Sequence, residues 1–346
     1  MSVGRAHRRP TLADVAAAAG VSRTTASRAL SDGPNVSPHA RARVWEAAQR
    51  LRFEPNHLAR SLRRGSTMGV GIVVPDVAIA FYASALKGAQ EALEAEGYHV
   101  LVVNTERAAG REREALRTLR AHRVDGLIVA TSGGYEDIGV PAVFFDNAPA
   151  DVGAGAVAME NADGIALLVE HLAGVHAHER IAYLGPPDAA PGAPSVHLSA
   201  RERLDGFRAA MGRAGLPLPP EYVRTSDVAL ARAVAAEVTA ELLALEPRPT
   251  AIVAGADTLA LGALQGLRDA GLRPPDDLAL VSFDEPPSAD LLDPPVTSLD
   301  RHDRQLGRRA AELLLDALRA PDAPPPGEIQ RVPLTLICRR SCGCAA

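Results

Sequence analysis

The 346-residue chain has no apolar run long enough to span a membrane, although hydrophobic residues make up 47% of it. A transmembrane helix needs about 20 consecutive apolar residues. The first residues are polar and basic, and they lack the apolar core of a secretory signal peptide. We therefore expect a cytoplasmic protein with a sizeable hydrophobic core.

The sequence also lacks the short motifs that mark common α/β enzymes. It contains no G-x-S-x-G nucleophile elbow and no G-x-x-x-x-G-K-[ST] phosphate loop, and none of the 10 histidines forms H-E-x-x-H. Gly69 and Gly71 lack the third glycine of a dinucleotide fingerprint. These absences argue against an enzyme, and we expect neither a catalytic residue nor a cofactor.

Cysteine and lysine are scarce. The 3 cysteines, Cys338, Cys342 and Cys344, crowd near the end of the chain. Neither a second ligand pair nor a histidine cluster stands beside them in the sequence, so we expect free thiols and no metal. Lys87 is the single lysine. The positive charge is therefore almost all guanidinium, which suits forked contacts to guanine and phosphate, although GC-rich coding alone would give the same bias.

Positive charge is concentrated at one end of the chain. Residues 1–66 contain 12 arginines and 4 acidic residues, a net charge of +8. The rest of the chain carries 25 basic and 38 acidic residues, a net charge of −13. A basic head on an acidic body directs the attraction for phosphate to one end of the molecule.

Residues 11–30 predict two short helices joined by a tight turn. Thr11 and Asp14 have capping-box spacing, and Gly20 can take the left-handed conformation that ends a helix. Ser22 can cap a second helix that ends near Leu30. That helix presents a polar row, formed by Arg23, Thr24, Thr25, Ser27 and Arg28. Such a helix can enter a major groove, and an ordinary two-helix corner with a solvated face is the alternative.

A third helix is predicted over about 38–51. Ser37 and Pro38 form an N-cap followed by a proline in the first turn, a common helix start. Five side chains are expected to face the core of the head: Ala42, Val44, Ala47, Ala48 and Leu51. The first part of the chain is therefore predicted to be all α-helical.

Beyond about residue 66, short apolar runs alternate with helical periods. The runs are 68–74, 98–103, 125–130, 142–145, 180–184, 250–254 and 278–282. Continuous apolar strands belong to parallel sheets covered on both faces, and this number of units predicts two doubly wound α/β lobes. Ligands in such folds lie beyond the carboxyl ends of the strands. The candidate pocket residues are therefore Phe81, Tyr82, Asp146, Asn147, Asp257, Asp284 and Glu285.

The head motif T-L-A-D-V-A-x-x-A-G-V-S-x-x-T-x-S-R-x-L, with the later N-V-S and F-x-P-N-x-x-A-R-S-L-R, resembles the LacI/GalR (lactose-repressor) family of bacterial transcription regulators. The resemblance implies a helix-turn-helix head over 1–56 and a hinge over 57–66. It implies base reading by Arg23, Thr24 and Arg28, and a leucine at 62 (Leu62) that wedges into the minor groove. Further DNA contacts, mainly to phosphates, are implied for Ser22, Thr25, Ser27, Asn35, Ser37 and Asn56.

The resemblance continues through V-F-F-D (143–146), S-A-R-E-R-L-D-G-F (199–207), A-D-T-L-A-L-G-A-L (256–264) and L-V-S-F-D-E (280–285). It implies that 67–346 is a two-lobed effector-binding and dimerising body, like a periplasmic binding protein. Arg203 is expected to clamp the effector opposite carboxylates, with an aromatic wall beside them. The implied effector-binding residues are Phe81, Tyr82, Asp146, Arg203, Asp257 and Asp284. For any one charged residue of the set, an interlobe salt bridge is the alternative.

Two departures from the family pattern bear on the effector. Ala256 stands before Asp257 where the family usually has asparagine, and Val228 stands where an aromatic ring is usual. A hexose pocket needs that amide and that stacking ring. We therefore expect common hexoses to bind weakly or not at all.

These features predict a sequence-specific DNA-binding regulator, a repressor controlled by a small-molecule effector such as a sugar or related metabolite. The expected partners are palindromic operator DNA and a second copy of the chain. No heptad tail follows the last strand, which favours a dimer over a tetramer. A cytoplasmic sugar-binding α/β protein, or an enzyme, without a role in gene regulation is the alternative.

Overall fold

The computed structural model describes residues 10–31, 33–53, 66–133, 135–147, 155–186, 198–225, 231–321 and 328–345. The chain divides into two compact units, Met1–Thr67 (the head) and Met68–Ala346 (the body). Within the described ranges, no helix is both long enough and apolar enough to cross a membrane.

The described part of the head contains three helices, α1 (Leu12–Ala19), α2 (Arg23–Leu30) and α3 (Pro38–Arg50). The predicted caps are confirmed: Thr11 and Asp14 form a capping box, Gly20 is left-handed, and the Ser22 and Ser37 side chains cap α2 and α3. The core of the head is formed by Val15, Ala16, Ala19, Ala26, Ala29, Leu30, Val44, Ala47 and Ala48. Ala42, which we predicted to be buried, is exposed because it lies on the opposite side of α3 from Val44.

The body alternates strands and helices. Its helices are α4 (Ala80–Ala95), α5 (Ala109–Ala121), α6 (Asn161–Glu170), α7 (Leu198–Arg213), α8 (Ala231–Leu243), α9 (Asp257–Asp269) and α10 (Asp303–Arg319). Its strands are β1 (Gly69–Val74), β2 (His99–Asn104), β3 (Gly126–Val129), β4 (Ala142–Phe145), β5 (Gly155–Met159), β6 (Ile181–Gly185), β7 (Val223–Thr225), β8 (Ala251–Ala254), β9 (Ala279–Ser282), β10 (Thr297–Asp300), β11 (Ile329–Val332) and β12 (Thr335–Ile337).

The strands form two sheets, one in each lobe. The first sheet has the order β11-β5-β4-β3-β1-β2 and is parallel throughout, with Val70 paired to both Val100 and Gly126. The second has the order β12-β10-β9-β8-β6-β7, in which β12 alone runs antiparallel among the described strands. The predicted fold class is therefore confirmed.

The described chain passes between the two sheets at three places: after β5, after β10, and between β11 and β12. The helix α10 follows the second of these crossovers and packs closely on α4. Gly88 and Gly307 make this approach possible, because a β-carbon on either would collide with the Arg304 or Ala85 backbone. The crossovers bring residues from both lobes to a common edge between the sheets.

All seven predicted apolar runs form strands, each within two residues of its predicted bounds. Five further strands were missed: β5, β7, β10, β11 and β12. These strands are short, and they are rich in alanine and glycine or in polar residues. Their sequences therefore lack the continuous apolar pattern that identified the others.

Candidate functional site

The polar row of α2 lies on the surface of the head. Arg23, Thr24 and Arg28 are exposed, whereas Thr25 and Ser27 are partly buried. Neither the Arg23 nor the Arg28 guanidinium forms a hydrogen bond or an ion pair with another described residue. Their guanidinium donors are therefore available to an external partner without breaking a contact in the protein.

Hydroxyl groups at the helix starts have structural partners. Ser22 Oγ accepts a hydrogen bond from the Thr25 amide at 3.0 Å and lies 2.8 Å from Thr25 Oγ1. Ser37 Oγ accepts from the Ala40 amide at 3.2 Å. Asn35 is exposed in the turn before α3 and is left-handed, with φ 63°. Asn56 and Leu62, also predicted to contact DNA, lie outside the described residues.

Two head arginines that contribute to the +8 charge form hydrogen bonds within the head. Arg41 donates to the Ala29 carbonyl at 2.9 Å and to the Gly33 carbonyl at 3.0 Å. Arg43 donates to the Ala19 carbonyl, at the end of α1. These arginines satisfy carbonyls near the ends of α1 and α2, a role that the charge count alone did not distinguish from DNA contact.

On the first-lobe side of the body, the predicted aromatic wall meets a carboxylate. Tyr82 Oη donates to Asp146 Oδ2 at 3.0 Å, and Asn147 Nδ2 donates to the same oxygen at 3.1 Å. Asn147 Oδ1 accepts hydrogen bonds across the lobes from Ser199 N and Oγ at 3.3 and 3.1 Å. The ring of Phe81 packs edge-on against Tyr82, with 4.8 Å between centroids.

Arg203 extends from α7 on the second-lobe side and is 7% exposed. Its Nε donates to Asn161 Oδ1 at 3.0 Å and its Nη1 to the Gly255 carbonyl at 2.7 Å. Asp284 Oδ1 lies 3.4 Å from Nη1, and the guanidinium carbon lies 3.8 Å from the Phe283 ring centroid. Nη2 has no hydrogen bond to a described residue, so part of the fork remains for a ligand.

Arg301, which the sequence reasoning missed, connects the aromatic residues and Asp146 on the first-lobe side with Asp284 and Arg203 on the second-lobe side. Its Nη1 lies 2.6 Å from Asp284 Oδ1, and its Nε lies 3.1 Å from Asp303 Oδ1 on α10. Its guanidinium carbon lies 4.6 Å from the Phe81 ring centroid. Arg301 follows the carboxyl end of β10, so recognition of V-T-S-L as a strand would have identified it.

The predicted residues thus form one continuous set. Asp146 and Tyr82 bond each other, Arg301 joins Phe81 to Asp284, and Asp284 reaches Arg203. Asp257 lies at the start of α9, where Asp284 and Arg301 affect its titration. Its carboxylate accepts from the Thr258 amide at 2.6 Å and from the Thr258 hydroxyl at 3.1 Å.

Burial controls the ionisation of this site. Burial raises the pKa of Asp146, and Arg203 and the Tyr82 hydrogen bond only partly offset it. Burial and Asp284 raise the pKa of Asp257, and burial raises that of Asp303. Burial alone would lower the pKa of Arg301, but Asp284 and Asp303 raise it above its ordinary value. In all, the site contains the arginines Arg203 and Arg301 and the carboxyl groups of Asp146, Asp257, Asp284 and Asp303.

A buried tyrosine adds an unsatisfied donor near Arg203. Tyr183 is fully buried in β6, and its hydroxyl has no hydrogen-bond partner among the described residues. The hydroxyl packs against the backbone of Gly185 and Gly255, where β-carbons would collide with it. Buried polar atoms without partners are uncommon in proteins, so this hydroxyl is a candidate ligand contact.

Hydrogen bonds connect Arg203 to residues beside the crossovers between the lobes. Asn161, directly after β5, accepts from Arg203 and donates to Glu202 Oε2 at 2.9 Å. Glu202 in turn pairs with Arg331 of β11, at 2.6 and 2.9 Å. Asn161 and Glu202 therefore connect Arg203 to Arg331, which lies on the strand before the third crossover.

No histidine cluster stands beside the cysteines in the sequence, but the fold brings two histidines to them. His171 and His176, far from the cysteines in sequence, lie beside Cys342 and Cys344. Burial and the neighbouring cysteine thiols raise the pKa of the Cys344 thiol above its ordinary value. The three cysteines are free of disulfides.

Comparison with known proteins identifies the family. The family described as "Bacterial regulatory proteins, lacI family" matches residues 11–56, and the "Periplasmic binding protein-like domain" matches residues 169–342. The chain is 32% identical to the ribose operon repressor of Escherichia coli (strain K12) over 336 residues, 94% of this chain and 97% of that protein. The chain belongs to the LacI family of bacterial regulatory proteins.

Further relatives of this LacI-family regulator agree. It is 30% identical to the HTH-type transcriptional repressor PurR of Vibrio parahaemolyticus over 320 residues, 89% of this chain and 92% of that protein. The structure of the Lac repressor dimer bound to operator and the anti-inducer ONPF matches with TM-score 0.83 and 26% identity, over 97% and 99% of the two chains. These relatives are repressors, and this chain is likewise a DNA-binding regulator.

A second similar structure holds a sugar. The transcriptional regulator CelR–cellobiose complex matches with TM-score 0.70 and 28% identity, over 96% of this chain and 100% of that chain. The similarity therefore extends through the head and both lobes.

Proposed function

We propose that this LacI-family regulator is a cytoplasmic homodimeric repressor whose affinity for a palindromic operator is set by a small molecule bound between the lobes. The observation that carries the proposal is the buried set that runs from Tyr82 and Asp146 through Arg301 to Asp284 and Arg203. A ligand that joins these groups stabilises one lobe arrangement over another, which is how binding shifts a two-state equilibrium.

The proposal assigns base reading to Arg23, Thr24 and Arg28. All three are exposed on α2, and α2 is held at both ends, by the Ser22 cap and by Arg41 at Ala29. A rigid short helix with exposed donors is the element that helix-turn-helix proteins place in the major groove. The remaining DNA contacts from the resemblance, including Asn56 and Leu62, belong to the same proposal.

The charge of the site favours a neutral polyol as effector. Arg203 and Arg301 face Asp146, Asp257, Asp284 and Asp303, so the site has no positive excess for a phosphate or a carboxylate ligand. Carboxylates accept hydroxyl donors, and Arg203 Nη2 and Tyr183 Oη can donate to ring or hydroxyl oxygens. Ala256 supplies no amide for a hexose hydroxyl, so we propose a small sugar or related metabolite, with ribose as the first probe.

Two measurements test the proposal. Selection of duplexes from genomic fragments by the full-length protein should return one palindromic sequence, bound with nanomolar-order affinity and a steep loss of affinity with salt. The genes beside the recovered sites then indicate the effector class. Recovery of no palindrome, or a flat salt response, would refute operator binding.

A thermal-shift screen of pentoses, hexoses, nucleosides, sugar phosphates and small acids tests the site itself. We expect a neutral polyol to raise the melting temperature of the wild type and of Arg208→Ala, but not of Arg203→Ala. Arg208 is the matched control because it lies on the same helix, more than half exposed, and pairs only with the exposed Asp205 among the described residues. Tight binding of glucose or galactose would contradict the argument from Ala256.

A further inference from the structure

The end of the chain lies against a distorted turn of the second lobe. After α6 the helix widens into a π-helical turn over His171–Val175, and His176 follows it. A short 3₁₀ helix, Arg340–Cys342, brings the last residues back to this turn. Thr297, the first residue of β10, contacts Cys342, so the cluster lies at the amino-terminal edge of the sheet, opposite the Arg203 site.

The four side chains converge on one point. One ligand atom from each of His171, His176, Cys342 and Cys344 lies within 4.8 Å of all the others. Cys344 Sγ lies 3.5 Å from His171 Nε2 and 3.5 Å from His176 Nε2, and Cys342 Sγ lies 3.3 Å from His171 Nε2. Zinc–sulfur and zinc–nitrogen bonds of tetrahedral sites give ligand–ligand edges of about 3.6 Å. The separations are close to those of a tetrahedral metal site.

The backbone conformation at Gly343 allows these four side chains to come together. Gly343 has φ 103°, a left-handed value, and a β-carbon there would lie 3.2 Å from His176 Nδ1. The glycine therefore lets the chain turn sharply between Cys342 and Cys344 while it lies against the imidazole. The Thr297 hydroxyl lies 3.0 Å from Cys342 Sγ and can donate to a thiolate, as groups around metal ligands commonly do.

We propose that His171, His176, Cys342 and Cys344 bind one Zn²⁺ per chain in a closed structural site. Two imidazoles and two thiolates are a frequent structural zinc set, whereas Ca²⁺ and Mg²⁺ prefer oxygen ligands. Zinc binding releases the two thiol protons, so the loaded site carries no net charge and suits its partly buried position. The ion fastens the C-terminal segment, which follows β12, to the π-helical turn after α6.

Two nearby residues of the same types provide matched controls. Cys338 is exposed and is not one of the four converging residues, although its Sγ lies 3.9 Å from His171 Nε2 and its thiol interacts with that of Cys344. His178 lies beyond His176, with 6.4 Å between ring centroids, and its Nδ1 bonds Thr250 Oγ1 at 3.1 Å. Loss of either one should leave the proposed zinc site intact.

The experiment uses untagged full-length protein purified under reducing conditions, without an added histidine tag. Elemental analysis by mass spectrometry should find about one zinc per chain. After removal of metal by a chelator, the melting temperature should fall and Zn²⁺ should restore it. Co²⁺ should give the visible bands of a tetrahedral thiolate site.

The variants separate metal binding from general damage. Cys344→Ser and His176→Gln, which alter partly exposed ligands, should weaken zinc affinity by at least about a hundredfold and abolish the response to chelator. Cys338→Ser and His178→Gln should bind like the wild type. Circular dichroism and operator binding check that each variant is folded.

Three results would overturn the proposal. The first is wild-type protein without zinc and without a Zn²⁺-dependent melting shift. The second is zinc retained equally by Cys344→Ser. The third is a disulfide between two of the cysteines, shown by the intact mass of protein prepared without reductant. The site does not depend on the effector proposal, so either can fail alone.

Discussion

The arginines of the head and those of the body are used in opposite ways. Arg23 and Arg28 extend from α2 into solvent without a partner among the described residues, whereas Arg301 is 11% exposed and held by Asp284 and Asp303. An exposed guanidinium contributes little to folding and remains available to DNA. A buried, paired one stabilises a specific arrangement, and its loss leaves carboxylates without a partner. The same residue type thus serves recognition in one unit and lobe geometry in the other.

The largest effect is expected from loss of the buried arginine. Arg301→Ala should destabilise the body by about 3–5 kcal/mol, because it removes the arginine partner of the largely buried Asp303 and leaves Asp284 with Arg203 alone. Urea denaturation of the full chain measures this change. Arg304→Ala is the control: Arg304 lies three residues after Arg301 on the chain, is solvent-exposed and pairs with Glu91, and its loss should leave the body transition unchanged. Similar transitions for the two variants would contradict a special role for Arg301.

Loss of the exposed arginine should have the converse effect. Arg28→Ala should leave unfolding unchanged but cost about 1–3 kcal/mol of operator binding, with relaxed preference at one base pair. Fluorescence anisotropy with a set of single-base operator variants measures both quantities. Arg50→Ala removes an equal charge from the exposed end of α3 and serves as control. If Arg28→Ala weakens all sequences equally, Arg28 contacts phosphate rather than a base.

A smaller effect tests how α2 is held. Ser22→Ala removes the cap on the Thr25 amide and should cost about 1 kcal/mol of head stability. Ser22→Gly should cost only about a few tenths of a kcal/mol of head stability, since glycine is tolerated at the N-cap position. Hydrogen exchange of the α2 amides reports the loss locally. Equal protection in all three proteins would show that the cap does not stabilise α2.

The pH dependence of Asp146 gives the smallest expected signal. Its folded pKa is raised above the ordinary 3.8, so the folded state holds the proton more tightly than the unfolded chain. The stabilisation that this tighter proton binding gives to the folded state is complete below the pKa of Asp146 in the unfolded chain. It is lost as pH rises through the pKa of Asp146 in the folded state. Asp146→Asn, which mimics the protonated form, should therefore gain stability relative to wild type between pH 4 and pH 7. A constant difference across that range would contradict a raised pKa.

Much of the fold could be predicted because local signals and packing agree. Each predicted helix boundary in the head followed from one local physical signal. The structure confirms the caps formed by Thr11, Gly20, Ser22 and Ser37. The seven apolar strands were also found, because buried parallel strands are continuously hydrophobic. The short strands β5 and β10 carry no such signal.

The missed strands explain the missed site residues. Asn161 and Arg301 follow β5 and β10, so the rule that ligands lie beyond strand ends could not be applied to them. The cluster of His171 and His176 with Cys342 and Cys344 was missed for another reason. Its members are about 170 residues apart in sequence, and only the fold brings them together.

The most direct test of the central claim is an operator titration with and without the effector found in the screen. The wild type and Arg208→Ala should show a shift in operator affinity of roughly 5–150-fold, the usual range of allosteric coupling. Arg203→Ala should bind the operator like the ligand-free wild type and show no shift. A shift that survives Arg203→Ala would contradict the account, because control of DNA binding would then not pass through this site.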